Sequence, residues 1–223
     1  MRENSFLIEG ITELKIERTR KILNESINRF TRVGVAWSTD IGCTVVLYMA
    51  RLIIRDIPVL FIDTTHHLDE TYHYRDELKK LWKLNLINVT PIDKELREDI
   101  TTCCRHLKIM PIFSKIRELN IEALLTGKRW DKHPQEGYKE KCKDSGVNTH
   151  FIHPILHWAE TDVWKFIHTK KIPYHPAYDK GYTNIDCKPC AMRKEAEKKT
   201  EEGIWSKQDK DEIIRRLKAL GYW

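Results

Sequence analysis

The sequence has 223 residues, 41% of them hydrophobic, which is enough for one buried core and too apolar for a disordered regulator. Thirty-nine Lys and Arg against 33 Asp and Glu leave a net charge of +6, an excess that suits an anionic ligand but is too diffuse to argue for DNA. With no apolar stretch of about 18 residues and no signal-peptide core at the N-terminus, the chain is expected to be soluble and cytoplasmic, with no membrane partner.

Apolar residues at Ile16, Ile22, Leu23, Ile27 and Phe30 predict an amphipathic helix over 15–30. Val33 to Trp37 reads as a strand, followed by the polar turn Ser38-Thr39-Asp40 and a mostly apolar run from Cys43 to Ile54 that reads as a buried helix. Ile57 to Ile62 is a second core strand ending in Asp63-Thr64-Thr65, and 69–82 carries helical spacing with acidic residues in its first turn. A strand at 86–90, a helical stretch over about 105–119 and a strand from Glu122 to Thr126 continue the alternation. The expected fold is therefore α/β, a parallel twisted sheet flanked by helices in one domain over 1–223, with ligands at the carboxyl ends of the strands. Past Gly127 a polar, basic segment reads as a mobile flap, and order resumes at Phe151. A helix follows, capped by Thr161 or Glu160; residues 194–223 form a charged tail with helical spacing from Lys207 to Leu220.

Six cysteines are too few for a disulfide scaffold. Cys103-Cys104 and Cys187-Lys-Pro-Cys190 supply four thiolates for one tetrahedral metal or one [4Fe-4S] cluster. The alternative is two buried thiols and a separate redox Cys-x-x-Cys; Cys43, inside an apolar helix, reads as core. The ten histidines show no spacing typical of a hydrolytic metal site.

These pieces, in this order over 30–193, resemble the sulfonucleotide (APS/PAPS) reductase family of the adenine nucleotide alpha-hydrolase superfamily. Asp56-Ile-Pro-Val-Leu-Phe-Ile-Asp-Thr-Thr-His-His-Leu-Asp-Glu-Thr-Tyr-His-Tyr-Arg-Asp-Glu-Leu78 is similar to that family's DIPV…DTG…PET segment and the helix after it. Cys103-Cys-Arg-His-Leu-Lys-Ile-Met-Pro111 resembles its Cys-Cys-x-x-x-Lys-x-x-Pro, and Gly127-Lys-Arg129 stands where it has Gly-Leu-Arg-Arg. His153 to Trp164 resembles its P…W…DVW helix start, and Tyr174 to Cys190 its NP…GY.SIGC.PC.

The resemblance implies reduction of adenylyl sulfate (APS, or its 3′-phosphorylated form PAPS) to sulfite, with thioredoxin or another thiol as donor. It implies a [4Fe-4S] cluster on Cys103, Cys104, Cys187 and Cys190, with Lys108 as electrostatic partner of cluster and substrate. Ser38, Thr39, Asp40 and Ile41 occupy the phosphate loop, where backbone N–H groups at a helix N-terminus attract anions. Asp63 and Thr64 would contact the adenosine, His66 would line the cleft, and Gly127 and Arg129 would face the phosphate or sulfate.

The chain departs from the family in several places. Of the superfamily's Ser-Gly-Gly-x-Asp-Ser only Ser38 is kept, Trp130 replaces the second arginine, and the flap lacks the usual Ser/Thr-Arg. The family's C-terminal Glu-Cys-Gly-x-His, whose cysteine attacks the sulfate sulfur, has no counterpart after Cys190. Cys142 is the substitute the sequence offers, with Lys139, Lys141 and Lys143 to lower its thiol pKa; an ordinary surface cysteine is the alternative. Two further readings stay open: an ATP-dependent sulfurtransferase or thiolation enzyme, the one case in which a nucleic-acid partner is expected, and a non-catalytic nucleotide- and cluster-binding subunit. A homo-oligomer is compatible with all three.

Overall fold

The structure, a computed structural model, describes residues 2–97, 99–132, 141–144 and 146–193. Helix α1 (Arg2–Arg29) leads into β1 (Val33–Trp37), α2 (Ile41–Arg51), β2 (Val59–Ile62), α3 (Asp69–Trp82) and β3 (Leu86–Val89). A helical stretch then runs through α4 (Ile100–Cys104), a π-helical turn (Arg105–Ile109) and α5 (Met110–Glu118). Next come β4 (Ala123–Leu125), β5 (Lys141–Asp144), β6 (Thr149–Ile152), α6 (Glu160–Lys170), β7 (Tyr182–Asn184) and β8 (Met192–Arg193). Six strands form one sheet in the order β3-β2-β1-β4-β6-β5, parallel except for the edge strand β5; β7 and β8 form a small antiparallel pair. This is the expected α/β architecture.

The central strands read as uninterrupted apolar runs because both faces are covered. On one face Val35, Trp37, Val59 and Phe61 pack with α1, α2 and α6 through Leu23, Val46 and Phe166. On the other, Leu60, Leu124 and Phe151 pack with Ile109, Ile112 and Ile116 of the α5 side. Crossovers from β1 run to β2 on one side and β4 is its neighbour on the other, so the point between β1 and β4 is the topological switch where such sheets bind ligands. No helix among the described residues is long and apolar enough to cross a membrane.

Several local expectations change. The predicted flap is in part the edge strand β5, which pairs Lys141 with Ile152 and Cys142 with Phe151, and β6 already begins at Thr149. Helix α6 is capped not by Thr161 or Glu160 but at Ala159, whose N–H donates to Asp162 at 2.7 Å. Asp40 caps α2 with its side chain, so that helix starts at Ile41, directly after the predicted polar turn and two residues before the predicted Cys43. The helix expected over 207–220 lies outside the described residues.

β1 and β2 each run into a threonine with φ of 64°, Thr39 and Thr65. A β-branched residue there is strained by about 1–2 kcal/mol, since Cβ crowds the following carbonyl. Thr65 is exposed and its N–H bonds Asp63 Oδ1 at 2.9 Å, a bond that any residue keeps. Thr65→Gly is expected to stabilise the protein by about 1 kcal/mol, read as a higher urea midpoint; an unchanged or lower midpoint would mean the turn holds no such strain.

Candidate active site

The switch point is built by a close approach of two glycines. A Cβ on Gly127, just past β4, would lie 2.2 Å from Cys43 N and 2.5 Å from Gly42 C; one on Gly42 would lie 2.7 Å from Gly127 O. The start of α2 is thereby locked against the end of β4. Over it sits the buried carboxylate of Asp40: Oδ1 accepts from Gly42 N at 2.8 Å, while Oδ2 accepts from Lys132 Nζ at 2.9 Å and from the Tyr178 hydroxyl at 3.1 Å. Burial works against this charge, but Lys132, Arg129 and the Gly42 N–H outweigh it and hold the carboxyl well below the usual carboxylate range. Ile41 N donates to Tyr178 Oη at 3.4 Å, so two of the first-turn N–H groups already have acceptors. Ser38 is exposed at the mouth, its hydroxyl 3.4 Å from Cys43 Sγ, and Thr39 is buried. Cys43, expected in the core, is only partly buried and sits at this loop.

Arg129 is 2% exposed, its Nε donating to Asp131 at 3.0 Å and its Nη2 to Glu160 at 3.3 Å. The positive charge at the mouth is thus shared between Arg129 and Lys132. Sequence reasoning missed Lys132 and Tyr178, which lie in a basic and a Tyr-rich segment and acquire meaning only through the fold.

The second part of the site lies at the end of β2. Cys103, Cys104, Cys187 and Cys190 line one cavity of about 150 Å³ with Leu107, Lys108 and Pro189. The Cys103-Cys104 pair precedes the π-helical turn, whose widened backbone lets adjacent residues and Lys108 address one space. The Cys-x-x-Cys segment is stitched to β2's end: Thr64 Oγ1 lies 3.3 Å from Cys187 Sγ, Lys188 N donates to His66 O at 2.6 Å, and His67 bridges Cys187. Lys108 forms an ion pair with Asp186. Burial disfavours both charges, but each partner outweighs it, raising the lysine and holding Asp186 near 2. Burial also pushes the thiols up, Cys187 to about 11 and Cys190 to about 12. No three His, Cys, Asp or Glu side chains among the described residues converge to hold a single metal ion. Asp63 closes the turn after β2, accepting from Thr65 N at 2.9 Å and the Tyr72 hydroxyl at 3.0 Å; His66 Nε2 lies 2.6 Å from Lys94 O.

At the far side, Cys142 leaves the predicted flap for β5. Its neighbours Lys141 and Lys143 point to the opposite face, as alternate residues of a strand must, and Lys141 pairs with Glu25 at 3.2 Å. Two of the lysines expected to lower its pKa are thus turned away, and the third, Lys139, lies outside the described residues. Its sulfur instead lies 3.8 Å from His153 Nε2, and His153 Nδ1 lies 2.7 Å from Thr126 Oγ1.

The switch-point loop, where Arg129 and Lys132 meet the carboxylates of Asp131, Glu160 and Asp40, thus lies between the four-cysteine cavity at the end of β2 and the Cys142 thiol on β5. Residues 32–193 match the family model of the phosphoadenosine phosphosulfate reductase domain. The adenosine 5′-phosphosulfate reductase of Bacillus pumilus is 26% identical over 190 residues, covering 79% of this chain and 81% of that protein. The phosphoadenosine 5′-phosphosulfate reductase of Synechococcus sp. is 29% identical over 170 residues, 68% and 72% of the two chains. In fold, the chain is similar to a phosphoadenylyl-sulfate reductase from Candida auris (TM-score 0.67, 20% identity, 81% of this chain and 93% of that one). It is also similar to Candida glabrata FMN adenylyltransferase (TM-score 0.66, 18% identity, 80% and 62%). With the family model covering the whole sheet, the switch-point loop and all four cavity cysteines, the chain belongs to the phosphoadenosine phosphosulfate reductase domain family.

Proposed function

We propose that this protein reduces adenylyl sulfate to sulfite and AMP with electrons from a dithiol donor such as thioredoxin, and that Cys103, Cys104, Cys187 and Cys190 hold a [4Fe-4S] cluster. The observation that carries this reading is the cavity of about 150 Å³ in which two cysteine couples, distant in sequence, meet beside the end of β2. Zinc needs thiolates about 2.3 Å from one point, whereas a cluster spreads its four ligands round a larger body. Four cysteines round one cavity of about 150 Å³ leave room for such a body. Once bound, the cluster would supply a fixed charged group that, with Lys108, tunes the potential at the neighbouring substrate.

The nucleotide lies across the strand ends, its adenosine over Asp63 and Thr64 with His66 at the rim. Its phosphate sits at the start of α2, against Ser38, Thr39, Asp40, Ile41 and Gly127, with Arg129 and Lys132 as counter-charges. Adenylyl sulfate rather than its 3′-phosphorylated form is supported by the Bacillus relative's name. The attacking thiol is assigned to Cys142.

Anaerobically purified protein is expected to contain about four irons and matching sulfide per chain, and to release sulfite from adenylyl sulfate plus dithiol. Cys187→Ser is expected to lose the iron. Absence of iron from the wild type would refute the cluster, iron without sulfite would refute the reductase, and pyrophosphate release from ATP would point to a thiolation enzyme.

A further inference from the structure

We propose that Cys142 and His153 form a nucleophile and general-base pair, with Thr126 as the positioning residue that fixes the imidazole. This inference rests on the reductase reading. Because β5 runs antiparallel to β6, its first residues lie at the carboxyl ends of the parallel strands, where ligands of this fold bind. Cys142 pairs with Phe151, and His153 is two residues on, so both side chains fall on the same face. His153 is 4% exposed; its Nε2 lies 3.8 Å from Cys142 Sγ and its Nδ1 lies 2.7 Å from Thr126 Oγ1. If the Nδ1 proton goes to Thr126 Oγ1, the Nε2 lone pair faces the thiol, the tautomer a base requires. Thr126 directly precedes Gly127, which abuts the start of α2.

The placement also matches the substrate's length. Strands lie about 4.8 Å apart, so β2 to β6 spans roughly 14 Å, the reach of an extended nucleoside phosphosulfate. Adenosine at Asp63 and Thr64 therefore brings the sulfate to the end of β6. There the Cys142 thiol gives its proton to His153 Nε2, and the thiolate sulfur bonds to the sulfate sulfur. The bond from that sulfur to the bridging phosphate oxygen breaks, and AMP leaves with the electron pair. A dithiol donor then attacks Cys142 Sγ, and sulfite leaves with the electron pair of the S–S bond. The donor's second thiol resolves the mixed disulfide, so sulfur gains two electrons, the donor becomes a disulfide and Cys142 is restored.

Two measurements test the pair. Mixed with adenylyl sulfate and no thiol donor, the wild type is expected to release a burst of one AMP per chain and to carry one SO3 group on the Cys142 peptide by mass spectrometry. Cys142→Ser should show neither, and His153→Gln should slow the burst roughly 10²-fold at neutral pH. A burst retained in Cys142→Ser overturns the proposal. Independently of turnover, alkylation of Cys142 by iodoacetamide is followed against pH. The other charged groups near it are Lys141, paired with Glu25, Lys143 and Asp144 on its own strand, and Arg117 of α5, which donates to Gly146 O at 3.3 Å. The wild-type midpoint is expected well below the free-thiol value of about 8.5 and should rise in both His153→Gln and Thr126→Val. A midpoint at the free-thiol value, unmoved by either change, overturns the pair even if no burst occurs; a low, His153-dependent midpoint without a burst upholds the pair and refutes the reductase reading.

Discussion

Gly127→Ala is expected to destabilise the protein by about 3 kcal/mol or more and to abolish nucleotide binding. The residue's φ lies outside the left-handed range, so alanine meets no backbone restriction and the whole effect is steric. Its Cβ would lie 2.2 Å from Cys43 N, 2.5 Å from Gly42 C and 2.6 Å from Cys43 Cα, all backbone atoms of the first turn of α2. A flexible side chain could swing aside; a helix start cannot. Relief therefore requires α2 to move off β4, and backbone displacement in a packed core costs about 1–3 kcal/mol or more, a large share of the roughly 5–15 kcal/mol that holds a domain together. The reciprocal contact, from a Gly42 Cβ to Gly127 O at 2.7 Å, means the two glycines serve one junction. Gly42→Ala should thus produce a smaller loss in the same sense. A urea midpoint unchanged in Gly127→Ala would show that the junction opens at no cost and does not fix the loop.

That junction illustrates what the sequence could and could not say. The strand runs Val33–Trp37 and Ile57–Ile62 are apolar because both sheet faces are covered, so their strand character and the α/β order were readable from the pattern of apolar runs along the chain. The two cysteine couples were readable as one donor set because thiolates are rare and their spacing is distinctive, and they do line one cavity. Lys132, Tyr178 and His153 were not readable. Each owes its position to a crossover or a crossing contact: Lys132 and Tyr178 meet on Asp40 from 92 and 138 residues away. Local pattern carries no record of such distances. Thr39 stands where the superfamily's loop has a glycine, and its φ of 64° is a conformation that glycine adopts freely, a feature that residue identity alone does not reveal. Cys142 was placed in a flap because its surroundings are polar; alternation along an edge strand, exposed on one side, produces the same composition.

Lys132→Met is expected to raise the KM for adenylyl sulfate about 30- to 160-fold while kcat falls much less. The estimate follows from losing one charge-assisted hydrogen bond, worth about 2–3 kcal/mol, at 1.36 kcal/mol per factor of ten. Lys132 Nζ lies 2.9 Å from Asp40 Oδ2, and Asp40, held ionised by its neighbours, raises the lysine's pKa in turn, so the cation is present throughout the working pH range. Two roles fit that contact: a counter-ion for a buried carboxylate, or a cation held ready beside the site where the substrate's own anion binds. The background Asp40→Asn separates them. With the carboxylate gone, a lysine that served only Asp40 has nothing left to neutralise, and Lys132→Met in that background would leave KM unchanged. A lysine that takes the phosphate or sulfate would cost the same factor with or without Asp40, and Lys132→Arg would recover most of it, since the guanidinium keeps the charge. The persistent loss is the expected result, because Tyr178 and the Gly42 N–H already satisfy Asp40 from its other sides at 3.1 and 2.8 Å, leaving the lysine as the partner whose charge the substrate can share.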